Sequence, residues 1–299
     1  MPSTSFFTTH DGDVILRTTQ EPTTTHDFRV HKFILSLASS VFKDMFTLPE
    51  PPDQTHTEPP VVNVPDSPEV IDIILRFIYP GVEPPRIPDV STLAALFSTA
   101  DKYNITSINP VLKESMKSFL PHDSFEVYVI ACRFGLLEEA KEAARVSTTS
   151  SILRGDHSEA VQHISSPDLY RYFRFVQERE STGRRIIASR LGWYLVPGKS
   201  CHHNSDKGED FYTRLTKVVQ EEFTESPCLE LKDLLVALDR VPDPPHGCEP
   251  PPSPAEWNED DVGDLPCPLV QTFIRGTLKG VVGQLNGSER SLLNRYFEK

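Results

Sequence analysis

The stretch "FRVHKFILSLASSVFKDMF" (residues 28–46) changes its period in the middle. Up to His31 the pattern suits a half-buried strand. After it, Ile34, Leu35, Ala38, Val41, Phe42 and Met45 follow a helical spacing, which places one apolar stripe along a single helix. One histidine thus marks a strand-to-helix junction. A catalytic histidine needs a nucleophile and an orienting acid converging on it, yet Ser39, Ser40 and Asp44 project from successive turns of that helix. The residues around His31 therefore predict architecture, not chemistry.

Working outward, "DVILRT" (13–18) alternates apolar and polar residues and pairs with "HDFRVHK" (26–32) as a hairpin across a Thr-rich turn. "PVVNVP" (60–65) is a third short strand. "DSPEVIDIILRFIY" (66–79) opens on a capping signal, Asp66 or Ser67 ahead of Pro68 and Glu69, and carries Val70, Ile71, Ile74, Phe77 and Ile78 on one face. Two more helices follow, one through Leu93, Leu96, Phe97, Ala100 and Tyr103. The other runs through Ile108, Val111, Leu112, Met116 and Phe119. Beyond Pro121 the period stays helical in "SFEVYVIACRFGLLEEAKEAARV", "SPDLYRYFRFVQERES", "EDFYTRLTKVVQEEF" and "CLELKDLLVALDRV", with Gly135 between two helices.

The expected fold class is therefore an α+β N-terminal region, a small sheet with stacked helices, followed by an all-α region. The expected boundaries are 10–120, a helical extension over 121–240, a Pro-rich acidic loop over 241–262 and a helical segment over 263–299. The loop is read from "VPDPPHGCEPPPSPAEWNEDD", where proline cannot continue a helix or a central strand.

Composition removes several function classes. The 43 acidic and 30 basic residues give a net charge of −13, which repels a phosphate backbone unless basic residues gather on one face. "TGRRIIASR" (182–190) has instead the spacing of a solvated helix face, so nucleic acid is not an expected partner. No apolar run of membrane-spanning length and no signal-peptide pattern is seen, and the five cysteines are odd in number and scattered. These features predict a cytoplasmic or nuclear protein that does not engage membrane.

The elements quoted above resemble the BTB/POZ family. "DGDVIL", "F-x-V-H-K-x-x-L" (28–35), "S-x-x-F-x-x-M-F" (39–46), "PEVIDIILRFIYPG" (68–81) and "ALFSTADKYNI" (95–105) stand in that family's order and spacing. The chain looks like the fungal type, in which "VYVIACRFGLLEEAKEAA" takes the place of a BACK-like extension. The resemblance implies a non-catalytic protein–protein interaction module, a scaffold or adaptor whose partners are other proteins, itself or a cullin. It also implies that dimeric members place an aspartate and a basic residue, here Asp13 and Lys32, in a charged pocket. About a dozen residues precede Asp13, so the arm that dimeric members exchange is expected to be missing.

A narrower implication is a substrate adaptor of a cullin-RING ubiquitin ligase. Such adaptors dock through a hydrophobic-x-Glu motif after the helix that here ends in "FKDMF". Leu48, Pro49 and Glu50 match formally, about two residues early and interrupted by proline. Leu48 is expected in an extended loop, covering its own core.

Other chemistry finds no foothold in the residues. Cys201, His202, His203 and Cys228 lack the paired spacing of a tetrahedral zinc site. "GWYLVPGKS" (192–200) has one residue too many, and a proline, for a phosphate-cradling loop. A cysteine-dependent enzyme using Cys132 or Cys201 with His157 or a neighbouring histidine lacks an orienting group. No catalytic residue, metal or cofactor is expected.

Overall fold

The computed structural model describes residues 7, 11–20, 24–48, 59–148, 157–192, 216–225 and 268–297. The chain divides into two compact units, 1–123 and 124–299.

In the first unit, β1 (Val14–Gln20) and β2 (Thr24–Val30) form an antiparallel hairpin with Val14 opposite Val30, and β3 (Val61–Val64) joins β1 in parallel. The sheet order is β2-β1-β3. Alternation decides its faces: Val14, Leu16, Thr18, Phe28, Val30 and Val64 are buried on the core side. On the other side Arg17 forms a two-point ion pair with Asp27, both contacts at 2.7 Å. That bond holds the Asp27 carboxyl below its usual range.

The single helix expected after His31 is two helices. α1 (Lys32–Ala38) ends at Ser39, whose backbone is extended (φ −137°, ψ 121°), and α2 (Ser40–Thr47) begins at once. Ser39 has other work: its hydroxyl accepts the Phe42 N–H at 3.1 Å, capping α2, and donates to the Tyr103 carbonyl at 2.5 Å. Burying a serine inside one continuous helix would leave that carbonyl without this donor.

α3 (Pro68–Ile78) is capped by the Ser67 hydroxyl, which accepts the Val70 N–H, with Pro68 preset for the first turn. Because Ser67 is the cap, Asp66 is free to bind elsewhere. It accepts from the Tyr103 hydroxyl at 2.7 Å, the Lys102 ammonium at 2.8 Å and the Thr99 hydroxyl at 3.1 Å. α4 (Val90–Lys102) starts on Asp89, which accepts the Thr92 N–H, and ends where Asn104 adopts φ 51°. The apolar faces of α1 to α4 close on the sheet through Leu35, Phe42, Leu75, Leu93, Leu96 and Phe97.

α5 (Asn109–Arg133) is interrupted at Asp123 (φ −119°, ψ 37°). Pro121 explains the break, having no N–H to give and a ring that crowds the carbonyl one turn back. Val111, expected in the core stripe of this helix, is 45% exposed.

The regular elements described in the second unit are all helices. It contains the rest of α5, α6 (Leu137–Val146), α7 (Ser158–Gln162), α8 (Ser166–Gly192), α9 (216–225) and α10 (Pro268–Phe297). Gly135 stands between α5 and α6 with φ 66°, the left-handed turn its sequence position predicts. An aromatic cluster forms the core: Tyr128 lies 4.5 Å from Tyr172, and Phe175 lies 5.6 Å from Phe297. The buried Arg179 guanidinium donates to the carbonyls of Ala144, Arg145 and Ser147, satisfying groups that the end of α6 leaves open.

Candidate protein-docking face

His31 is the N-cap residue of α1, and its side chain does not cap the helix. Its backbone N–H donates to the Tyr79 hydroxyl at 2.8 Å, and its Nδ1 lies 3.2 Å from the same oxygen. Tyr79 is the residue that ends α3. Burial raises its phenol above the ordinary range, so the group keeps its proton. His31 Nε2 points toward Asp11, 4.0 Å away. These contacts fix the β2–α1 junction, and they are the architectural role its sequence position predicts.

Asp13 and Lys32 do meet, but through the backbone. Asp13 Oδ1 accepts the Lys32 N–H at 2.7 Å, while the Lys32 ammonium lies 5.8 Å over the Phe46 ring. Asp13 is exposed, so its carboxylate serves the first turn of α1 at the protein surface.

Leu48 leaves α2 in extended geometry, φ −70° and ψ 142°, as Pro49 predicts. Its expected burial is overturned: the side chain is 67% exposed. Glu50 lies outside the described residues. So do Cys201, His202, His203 and Cys228, most of "GWYLVPGKS" and the expected helix over 228–241.

Among the described residues, the two most exposed large apolar side chains escaped the sequence reading. Phe33 and Leu37, four residues apart on α1, are 76% and 79% exposed. At that spacing they are neighbours on one helix face, with Leu35 buried on the other. The signal was present: two large apolar residues fall off the stripe of a helix whose stripe is otherwise complete. An aliphatic or aromatic side chain of this size contributes about 1.5 to 3 kcal/mol when a partner removes it from water.

Residues 7–120 match the BTB/POZ domain family. They are a BTB/POZ domain. Such a domain is a protein-interaction module, and the exposed α1 pair belongs to it. No curated protein matches the chain.

Elsewhere the described residues arrange little chemistry. No three His, Cys, Asp or Glu side chains among them are grouped to hold a metal ion, and no helix among them is long and apolar enough to cross a membrane. Burial pushes the Cys132 thiol up to about 11, against a bond from Tyr128 that lowers it. His157 Nδ1 lies instead 2.5 Å from Glu126, with its ring edge-on to Phe125.

Proposed function

We propose that the BTB/POZ domain docks another protein through the α1 face bearing Phe33 and Leu37, and that the chain acts as a non-catalytic scaffold. The observation that carries this reading is the exposure of two adjacent large apolar side chains on a helix whose opposite side packs in the core. The partner is another protein chain or a second copy of this one. The helical unit is read as a BACK-like buttress of the fungal type, and the setting as cytoplasmic or nuclear. Affinity purification of the full chain, with the bound proteins identified by mass spectrometry, tests the docking role. A Phe33→Asp/Leu37→Asp variant is expected to lose its captured protein and keep its thermal unfolding midpoint. Undiminished capture by that variant would refute the α1 face.

A second reading, the cullin-RING adaptor, is favoured by one observation. Leu48 is exposed beside the end of α2 and therefore available to a pocket on another protein.

A further inference from the structure

α8 buries one side, through Tyr172, Phe175, Val176 and Ile187, and turns the other outward. The outward positions, all on one face at helical spacing, are Tyr170, Phe173, Arg174, Gln177, Arg184 and Arg185. Tyr170 is 68% exposed and Phe173 44%. A solvated helix face ordinarily pairs acidic with basic residues one turn apart, as α6 does with Glu138 bonded to Lys141 at 3.0 Å and Glu142 to Arg145 at 3.2 Å. The outward face of α8 instead carries aromatics and arginines, with neither lysine nor glutamate.

The carboxylates of α8 are already engaged. Asp168 accepts from Arg171 at 2.9 Å and from the Ser165 hydroxyl at 2.5 Å. Glu178 accepts from the Tyr296 hydroxyl and Arg295 of α10, which hold its carboxyl below the usual range. Glu180 is buried and accepts from Arg184 at 3.2 Å. Between 170 and 190 six arginines stand against two glutamates, in a chain whose net charge is −13. The outward face is therefore a local basic patch with an aromatic end.

We propose that the outward face of α8 is a second docking surface, and that its partner is a short acidic segment of another protein. A bulky apolar residue of that segment sits on Tyr170 and Phe173, with a carboxylate beside it on Arg174. Further carboxylates meet Arg184 and Arg185, roughly 16 Å along the helix. Charge complementarity selects this partner. An arginine fork takes a carboxylate by two bonds at once, and tyrosine and arginine are residue types that carry binding energy at protein interfaces. Nucleic acid fits less well: three arginines are fewer than a phosphate backbone engages, and the net charge repels the rest of the strand. A short segment meets only the local patch. The inference does not rest on the α1 docking role.

The probe is a fluorescein-labelled, alanine-based helical peptide with a tryptophan beside one glutamate and two more glutamates about three turns on, titrated with the full chain at low salt and read by anisotropy. Saturable binding is expected. Arg185→Glu and Tyr170→Ser, at the two ends of the face, are each expected to weaken it at least about fivefold, and so is glutamine in place of the peptide's glutamates. Both side chains are exposed, so each variant is expected to keep its thermal unfolding midpoint. Should a midpoint fall, the glutamine peptide tests the same contacts on the unaltered protein. Absence of saturable binding would overturn the proposal. So would equal affinity for the glutamine peptide, since apolar adhesion alone would then hold the probe. A single-stranded oligonucleotide that displaces the peptide at lower concentration would overturn it in favour of nucleic acid. A wild-type dimer in sedimentation that either variant dissociates would overturn it in favour of a second copy. Phe33→Asp/Leu37→Asp is expected to bind the peptide as the wild type does, so failure of one docking surface leaves the other standing.

Discussion

The Ser39 hydroxyl donates to the Tyr103 carbonyl at 2.5 Å, and the Tyr103 ring stacks on Phe42 at 4.8 Å with an interplanar angle of 15°. The start of α2 and the end of α4 are thus locked together twice, once by a buried polar bond and once by an aromatic pair.

Phe42→Ala removes the aromatic half of that lock. Phe42 is 2% exposed, so its loss leaves a cavity that the rigid ends of two helices cannot fill. The expected cost is about 3 to 5 kcal/mol, read as a shift in the denaturant midpoint of the first unit. A variant with an unchanged midpoint would show that the α2 face is assigned wrongly.

The same lock shows where the sequence could be read and where it could not. Local chemistry announced the β1–β2 hairpin, a cap at Asp66 or Ser67 and the Gly135 turn, because each is settled by residues within a few positions. The break at Ser39 is settled by Tyr103, 64 residues away. Serine inside a helix and serine at a cap look alike until that partner is known. Once the break is missed, the apolar stripe of residues 34–45 is assigned to one helix, and the Phe33 and Leu37 pair is passed over. Leu48 fails for the opposite reason: its backbone geometry follows from Pro49, but what an extended side chain touches depends on the rest of the fold.

Alkaline pH should weaken the first unit. Burial, aided by the bond to Asp66, raises the Tyr103 phenol above its ordinary range. A phenol that binds its proton more tightly when folded gives stability that is fully present below the unfolded value of about 10 and is lost as pH climbs beyond it. Denaturant unfolding between pH 8 and 11 is expected to show this decline. Tyr103→Phe should be less stable at pH 8, having lost the bond to Asp66, yet decline less steeply. An equal slope in the variant would assign the alkaline loss to other groups.

Cys132 should behave as an inert thiol. With its pKa pushed up to about 11 by burial, little thiolate exists at neutral pH, and thiolate is the species that reacts. Peptide-resolved alkylation by iodoacetamide at pH 7 is expected to label Cys132 at least about tenfold more slowly in the folded chain than in the urea-unfolded chain. Rapid labelling of the folded protein would revive the cysteine-dependent enzyme.

The plain scaffold and the cullin adaptor separate at Leu48 and Glu50. In the docking that the family resemblance implies, an apolar side chain enters a cullin pocket while the glutamate fixes register, and both project from an ordered helix end. Leu48 is exposed and so free to dock, but its backbone has already left α2 at ψ 142°. Pro49 has no N–H with which to continue the helix, and it holds Leu48 in the extended region. Exposure is therefore met while geometry is not, and docking a side chain from the wrong backbone forfeits the orientation that the pocket needs. A pull-down with purified cullin is expected to show no binding tighter than micromolar, with Leu48→Ala/Glu50→Ala changing nothing detectable. A submicromolar complex that the double substitution abolishes would displace the scaffold in favour of the ubiquitin-ligase adaptor.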